Sequence, residues 1–231
     1  MVLVAAGNST RMGATPKRKP LLALGGVPVL EVTCAAFAAA ATVAEVLIVA
    51  HPSDVEAIER LCAERPALDK VRGVVTGGAE RADSVRCGVR WCGFGVDVIC
   101  VHDAARPLVR PDQIDATVRR AADEGAALLG VPVRDTVKGT GDGRFAERTL
   151  DRSSLWAAQT PQAFAARAFR EVLEESRRDG YSPTDDAALW ERYRGPVALV
   201  EGDLSNFKIT TPADLALAEA VLASRRQGAH R

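Results

Sequence analysis

The sequence predicts an α/β fold in which a mostly parallel sheet is covered by helices on both faces. Short β-branched runs alternate with longer segments of helical periodicity along most of the chain. The run at residues 96–101 is continuously apolar, which indicates a strand that is buried on both faces. Glycines directly follow two of the runs, and a sheet of this class binds ligands at the carboxyl ends of its strands.

We assign the strands and helices from this alternation, in chain order. The predicted strands cover residues 2–6, 46–50, 71–76, 96–101, 126–133 and 197–201. The predicted helices cover residues 29–41, 53–64, 82–91, 111–124, 166–178, 184–192 and 212–224. Ser53 and Glu56 have the spacing of a capping box, which predicts that the second helix opens at Ser53. Because the chain has no internal repeat and no low-complexity linker, we expect one domain over residues 1–231.

The alternation breaks at Arg134. From there to about Leu150 the chain is polar and contains Gly139, Gly141 and Gly143. We interpret residues 134–151 as a β-hairpin arm that leaves the body of the domain. A plain mobile loop is the alternative.

Composition limits the classes of function. The 231 residues are 47% hydrophobic, enough for a sizeable core, and the formal net charge is zero. No global field therefore attracts nucleic acid or a membrane, and a basic substrate site must be local. The apolar run at residues 1–6 ends too early for a secretory signal, and the alanine-rich stretch 35–44 is too short to cross a bilayer.

The five cysteines form no C-x-x-C pair, and no histidine is near enough in sequence to suggest a zinc site. We interpret them as reduced core residues, which is typical of a cytoplasmic protein. A catalytic cysteine is the much weaker alternative.

A glycine turn follows the first strand. Ala5 and Ala6 lead into Gly7, where backbone N–H groups can approach a phosphate chain, and the guanidinium of Arg11 suits phosphate oxygens. The dinucleotide fingerprint and the Walker loop are both excluded by the spacing. An ordinary strand-to-helix turn explains this segment alone equally well. Lys17, Arg18 and Lys19 follow within ten residues of the turn, which favours an anion site over a solvated basic loop.

Two further segments carry polar groups after strands. Gly78 precedes Asp83 and Ser84, which can hydrogen-bond a base or ribose, or simply cap a helix. Asp103 follows the fourth strand and is placed to hold Mg²⁺ when a substrate supplies the other oxygens. Asp103 could instead pair with Arg106.

Eight motifs occur in the following order: G-x-x-x-R-M, K-P-x-L-x-L-x-G-x-P-V-L-E, G-G-x-E-R-x-D-S-V, V-H-D-A-A-R-P, P-V-R-D-T-V-K, D-R-x-x-L-W-x-A-Q-T-P-Q-x-F, T-D-D-A and N-x-K-I-T-x-P-x-D-L-A-L-A-E. This series resembles the 2-C-methyl-D-erythritol 4-phosphate cytidylyltransferases of the non-mevalonate isoprenoid pathway. The match runs from about Val2 to Leu222. H-D-A-A-R-P and T-P-Q-x-F are its specific elements. The resemblance implies a Rossmann-like, three-layer α/β/α nucleotidyltransferase fold and transfer of CMP from CTP to the sugar-alcohol phosphate.

The resemblance also implies roles for individual residues. Arg11 and Lys19 would stabilise the α-phosphorus, and Arg152 and Lys208 would position the acceptor phosphate. Contacts with cytosine and ribose are implied for Gly78, Asp83 and Ser84, and contacts with magnesium and ribose for Asp103. Acceptor contacts are implied for Arg106, Thr136 and Thr160. Further substrate contacts are implied for Ala5, Ala6, Gly7, Ala104 and Thr184. The arm of such enzymes swaps into a second subunit, so the resemblance implies a homodimer.

Two departures from the family pattern matter. Ser9 stands where a second glycine is usual. The proline expected directly before the catalytic lysine is missing in front of Lys19, whereas Pro16-Lys17 offers that dipeptide out of register. Ungapped spacing to Gly26 and Glu31 favours Lys19. Two other functions remain open: transfer to ribitol 5-phosphate, and non-catalytic binding of a sugar nucleotide.

Overall fold

The computed structural model describes residues 1–7 and 18–228. The predicted phosphate-binding turn beyond Gly7, with Arg11, and the alternative lysine Lys17 lie outside the described residues. The strand that leads into that turn lies within the described residues.

A seven-stranded sheet forms the centre of the molecule. Its strands are β1 (Val2–Ala5), β4 (Val46–Ala50), β5 (Val71–Thr76), β6 (Val98–Asp103), β7 (Ala126–Pro132), β10 (Trp156–Ala165) and β11 (Ala198–Glu201). The order is β11-β7-β10-β6-β1-β4-β5, and only β10 runs antiparallel to its two neighbours within this sheet. The predicted α/β fold with a mostly parallel sheet is confirmed.

Seven α-helices surround the sheet in the described part of the chain. They are α1 (Val29–Ala39), α2 (Val55–Glu64), α3 (Arg81–Trp91), α4 (Pro111–Glu124), α5 (Ala166–Arg178), α6 (Asp186–Tyr193) and α7 (Pro212–Gly228). A short hairpin of β2 (Ala23–Leu24) and β3 (Val27–Pro28) precedes α1.

Alternate residues of the strands pack into two separate hydrophobic cores, because successive side chains of a strand point to opposite faces of the sheet. Leu3 and Ile48 pack with α1, α2 and α4 on one face. Val2 and Val49 pack with α3, α5 and α6 on the other. Burial on both faces explains why the strands read as continuous apolar runs.

Several predicted boundaries shift in the structure. The first helix ends at Ala39 rather than near residue 41, the fourth predicted strand runs from Val98 to Asp103, and the helix predicted from Thr184 begins at Asp186. The predicted capping box at Ser53 is wrong. Ser53 lies in a 3-10 turn over Pro52–Asp54, and α2 starts only at Val55.

The sequence pattern does not predict strand β10, which lies between β6 and β7. Its pairing with β7 shifts register between Ala158 and Gln162. The segment combines alanines, glutamines and Pro161, and proline normally argues against a central strand except at a bulge.

Residues 134–151 are almost entirely exposed and carry a small antiparallel ladder between β8 (Lys138–Gly139) and β9 (Arg148–Thr149). This segment links the end of β7 to the start of β10. Its extent as an arm stays a prediction. In the described residues, every helix is too short or too polar to span a bilayer.

Candidate active site

A cleft of about 280 Å³ opens at the carboxyl ends of β1 and β6. The neighbouring positions of these strands bring the two ends together. Nine of the residues singled out in the sequence line it: Ala5, Ala6, Gly7, Lys19, Gly78, Ser84, Asp103, Ala104 and Lys208. Segments that are far apart in the chain thus meet where sheets of this class bind ligands.

Asp103 forms the charged floor of the cleft. One carboxylate oxygen accepts from Arg81 Nε at 3.1 Å, and the other accepts from Lys208 Nζ at 2.7 Å. Burial alone would raise the pKa of this carboxyl, but the charges of Arg81 and Lys208 outweigh it and hold the pKa well below its usual range. The suggested pairing of Asp103 with the Arg106 side chain is replaced by these two cations. Arg106 instead donates to Asn206 O at 2.8 Å.

Arg81 is held between two carboxylates. Its Nη2 lies 2.9 Å from Oδ2 of Asp186, whose side chain is 1% exposed at the start of α6. Burial disfavours the charged guanidinium, but Asp186 and Asp103 outweigh it and raise the pKa of Arg81. The cation is therefore permanently charged and fixed in direction beside the cleft.

His102 is completely buried next to Asp103, beneath the floor of the cleft. Its ring accepts from the Thr160 hydroxyl at 3.0 Å and donates from Nε2 to Arg106 O at 3.0 Å. Thr160 in turn accepts from the backbone N–H of Asp103 at 3.1 Å. Complete burial lowers the pKa of His102 to about 4. From its buried position, Thr160 thus orients the end of strand β6 that carries Asp103.

The second glycine segment approaches the cleft closely. A Cβ on Gly77 would lie 2.5 Å from Ala6 Cβ, and one on Gly78 would lie 2.3 Å from Asp83 Cβ. Only glycine fits at such separations. The N–H of Gly78 donates to Ser84 Oγ at 3.2 Å, which fixes this edge of the cleft.

Asp83 is occupied in the first turn of α3. Its carboxylate accepts from Glu80 N at 3.3 Å and from Arg86 at 2.6 Å, so it serves the capping arrangement considered as the alternative. It is not among the residues that line the cleft. Its contact with a nucleotide stays a prediction.

Lys19 lines the cleft directly before the buried Pro20. The two residues open a short 3-10 turn over Lys19–Leu21. Leu22 N donates to Lys19 O at 3.1 Å and closes the turn. This placement agrees with the ungapped spacing that favours Lys19.

The remaining predicted site residues lie apart from the cleft wall. Thr136, Arg152 and Thr184 are exposed, and Arg152 donates to the backbone oxygen of Arg134 at the base of the segment 134–151. Their shared role with Lys208 stays a prediction, because nothing within the single chain brings them to the cleft.

Sequence reasoning missed Arg81, although it stands in the G-G-x-E-R motif. A charged residue in the first turn of a helix normally faces solvent. The Arg81 side chain points inward because it pairs with the buried Asp186, which lies 105 residues later in the sequence. Glu80 also lines the cleft and accepts from Ser182 Oγ at 2.8 Å.

Carboxylates are sparse for a protein-bound metal. Within residues 1–7 and 18–228, no group of three or more histidine, cysteine, aspartate or glutamate side chains is arranged to hold a metal ion. Both oxygens of Asp103 already face cations. A divalent ion fits this cleft only with most of its ligands supplied by a substrate. All five cysteines are free, and none lines the cleft.

Comparison with known proteins points to one family. The sequence profile described as "IspD: 2-C-methyl-D-erythritol 4-phosphate cytidylyltransferase" matches residues 1–224. The enzyme of that name from Pelotomaculum thermopropionicum is 43% identical over 225 residues, covering 97% of this chain and 94% of the relative.

Two solved structures extend this result. The cytidylyltransferase of that name from Thermus thermophilus is 37% identical with a TM-score of 0.75, covering 95% of this chain and 97% of its own. The 4-diphosphocytidyl-2C-methyl-D-erythritol synthase from Anaerococcus prevotii is 27% identical with a TM-score of 0.84, covering 96% of this chain and 94% of its own. The profile match, the sequence identities and the shared fold lead to one conclusion: the chain belongs to the 2-C-methyl-D-erythritol 4-phosphate cytidylyltransferase family.

Proposed function

We propose that this enzyme transfers CMP from CTP to 2-C-methyl-D-erythritol 4-phosphate, giving 4-diphosphocytidyl-2-C-methyl-D-erythritol and pyrophosphate. Membership of the family supports the activity. The observation that carries it is the convergence of Lys19, Arg81 and Lys208 on one cleft at the carboxyl ends of β1 and β6. Such a cleft suits a polyanionic substrate.

The chemistry requires alignment more than proton transfer. An oxygen of the acceptor phosphate attacks the α-phosphorus of CTP, a new P–O bond forms, and the bond to the β-phosphate bridging oxygen breaks. The attacking oxygen is already anionic at neutral pH, so no general base is needed. The barrier comes from bringing two anions together, and fixed cations lower it. Lys19 and Arg11 would stabilise the α-phosphorus, whereas Lys208 and Arg152 would hold the acceptor phosphate.

Nucleotide recognition would use the two glycine segments. The backbone of Ala5, Ala6 and Gly7 lines one side of the cleft, and Gly78 with Ser84 lines the other. Small side chains and glycines there would let phosphate and base approach the backbone closely. We assign Ala104 to the same nucleotide wall and keep Asp83 as a neighbouring contact.

Nucleotidyltransferases generally depend on a divalent cation, and we propose Mg²⁺ for this one. Bound with the triphosphate, Mg²⁺ would neutralise phosphate charge. Asp103 would supply one oxygen to it, and the triphosphate and water would supply the rest. Arg81 and Lys208 keep this carboxylate ionised, which is the protonation state that a hard cation requires.

The acceptor site would be completed by a second subunit. We propose that residues 134–151 form an arm of the single domain 1–231 and place Arg152 and Thr136 over the cleft of a partner in a homodimer. Exposure of the arm and its separation from the cleft within one chain support this arrangement. Arg106, Thr160 and Thr184 would shape the acceptor end, and we propose a cytoplasmic location.

Pyrophosphate release from CTP and Mg²⁺ tests the function, with methylerythritol phosphate and ribitol 5-phosphate offered in parallel. We expect release with methylerythritol phosphate alone. Release with ribitol 5-phosphate instead would keep the cytidylyl chemistry and overturn the acceptor. Absence of release with either acceptor would favour a non-catalytic sugar-nucleotide-binding protein. The substitution Lys19→Ala should lower kcat more than the KM values, because its charge matters most in the transition state.

A further inference from the structure

Arg18 stands at the position where the sequence departs from the family pattern. The residue before Lys19 is an arginine, where the family motif has a proline. The structure gives this arginine a defined set of contacts, and its neighbour Lys19 lines the cleft.

The Arg18 side chain is anchored at the carboxyl end of β4. Its Nε lies 3.4 Å from Oδ2 of Asp54, whose side chain is only 12% exposed. Its Nη2 lies 3.3 Å from Nε2 of His51. The Nδ1 atom of the same ring accepts from Ser53 N at 3.2 Å and lies 2.8 Å from Ser53 Oγ. Since β4 is buried along its whole length, this anchor belongs to the rigid part of the molecule.

The backbone turns Arg18 and Lys19 in different directions. Arg18 is extended, with φ −72° and ψ 158°. Neighbouring side chains of an extended segment point to opposite sides. Arg18 therefore reaches Asp54 and His51 while Lys19 reaches the cleft. Leu21 N donates to Arg18 O at 3.0 Å, so the turn that carries Lys19 starts from the anchored residue.

We propose that Arg18 is a positioning residue for Lys19: its contacts with Asp54 and His51 replace the conformational restriction that a proline would impose at this position. The observed φ lies within the range that a proline ring allows, about −65 ± 15°. Proline restricts this angle covalently, whereas arginine achieves the same through an ion pair with Asp54 and a contact with the His51 ring. The inference rests on the proposed role of Lys19 at the α-phosphorus.

The alternative role for Arg18 is direct contact with the triphosphate. Its guanidinium is directed to a carboxylate and an imidazole, and Arg18 is not among the residues that line the cleft. The two roles predict different behaviour for a proline at this position, since proline restores the backbone restriction and supplies no charge.

Steady-state kinetics of Arg18→Ala, Arg18→Pro and Asp54→Asn test the proposal in the full-length enzyme. We expect Arg18→Ala and Asp54→Asn each to lower kcat about tenfold with little change in KM for CTP, because a displaced catalytic group loses rate rather than affinity. Arg18→Pro should recover most of the wild-type kcat. Arg65→Ala is the matched control: Arg65 pairs with Glu31 at 3.6 Å, whose side chain is 13% exposed, and its loss should leave kcat unchanged.

A double-mutant cycle with Lys19→Ala distinguishes positioning from a general loss of stability. If Arg18 acts through Lys19, adding Arg18→Ala to Lys19→Ala causes no further loss of kcat. An additive loss, or an Arg18→Pro variant as impaired as Arg18→Ala while its thermal unfolding stays normal, would overturn the proposal. Normal turnover of Lys19→Ala would instead refute the role of Lys19 in the proposed function.

Discussion

Lys208 donates to Asp103 at 2.7 Å across 105 residues of sequence, and this contact neutralises the floor of the cleft before any substrate arrives. Ile209 N donates to Ala105 O at 2.8 Å beside it, so the backbone fixes the two segments together. An incoming phosphate must therefore compete with Asp103 for the ammonium group. Asp103 weakens ground-state binding of anions and keeps the cations in place for the reaction.

The substitution Asp103→Asn removes this competing charge. We expect inorganic pyrophosphate to inhibit the variant several-fold more tightly while kcat falls, because Lys208 loses its carboxylate partner and Arg81 loses one of its two. Inhibition constants measured without added divalent cation check this expectation. Glu80→Gln serves as the control, since Glu80 also lines the cleft but is exposed. An unchanged constant for Asp103→Asn would contradict the competition.

Loss of Arg81 should destabilise the fold as well as the site. Arg81→Met leaves the buried Asp186 without its cation, and breaking such a pair costs about 3–5 kcal/mol. Urea unfolding at neutral pH measures the change in the free energy of unfolding. The double variant Arg81→Met with Asp186→Leu should regain most of this stability yet remain impaired in catalysis.

The Arg86–Asp83 pair gives the matched control for Arg81. Its atoms lie 2.6 Å apart, but the Asp83 side chain is 39% exposed. Removing Arg86 should therefore cost at most about 1 kcal/mol. Equal losses for the two arginines would show that burial of Asp186 contributes nothing to the effect.

His102 makes stability depend on pH in the acid range. Burial lowers its pKa from the ordinary 6.5 to about 4, so the folded state binds fewer protons than the unfolded state between these values. The stabilisation is complete above pH 6.5 and declines as pH falls towards 4, by up to about 3 kcal/mol. Unfolding of the wild type and of His102→Gln at several pH values checks this. If His102→Gln keeps the wild-type slope, other groups cause it.

Mixing two defective variants tests the shared acceptor site. Lys208→Ala removes a residue of the cleft, and Arg152→Ala removes a residue of the proposed arm. If the two act from different subunits, a re-equilibrated mixture contains heterodimers with one intact site, and about a quarter of wild-type activity returns. Each variant mixed with itself is the control. A mixture that stays inactive, although exchange is demonstrated, would place both residues at the same subunit's site.

Periodicity predicted the central parallel strands because β1, β4, β6 and β7 are buried on both faces and read as apolar runs. The same rule failed for β10. Thr160 is its single β-branched residue, and its position is set by pairing with β6 and β7 rather than by its own composition. Local sequence cannot report a strand whose stability comes from two distant neighbours.

Only some residues of the candidate site could be predicted from the sequence. Lys19 and Ser84 were found because they follow glycine-rich turns at strand ends, and the structure brings both to the cleft. Arg81 and the anchor of Arg18 were missed, since each depends on an acidic partner from another element. Such pairs join residues that are distant in sequence, so the charge of one residue does not identify its partner.

The insertion of β10 between β6 and β7 also sets the order in which the chain can fold as it leaves the ribosome. Strands β1, β4, β5 and β6 are complete once residue 103 has been made, and they are consecutive in the sheet. Strand β7 follows soon after, yet both of its neighbours, β10 and β11, are synthesised later. The apolar strand β7 therefore has unpaired edges until β10 and β11 have been synthesised. We expect the chain to be most prone to aggregation during this part of its synthesis.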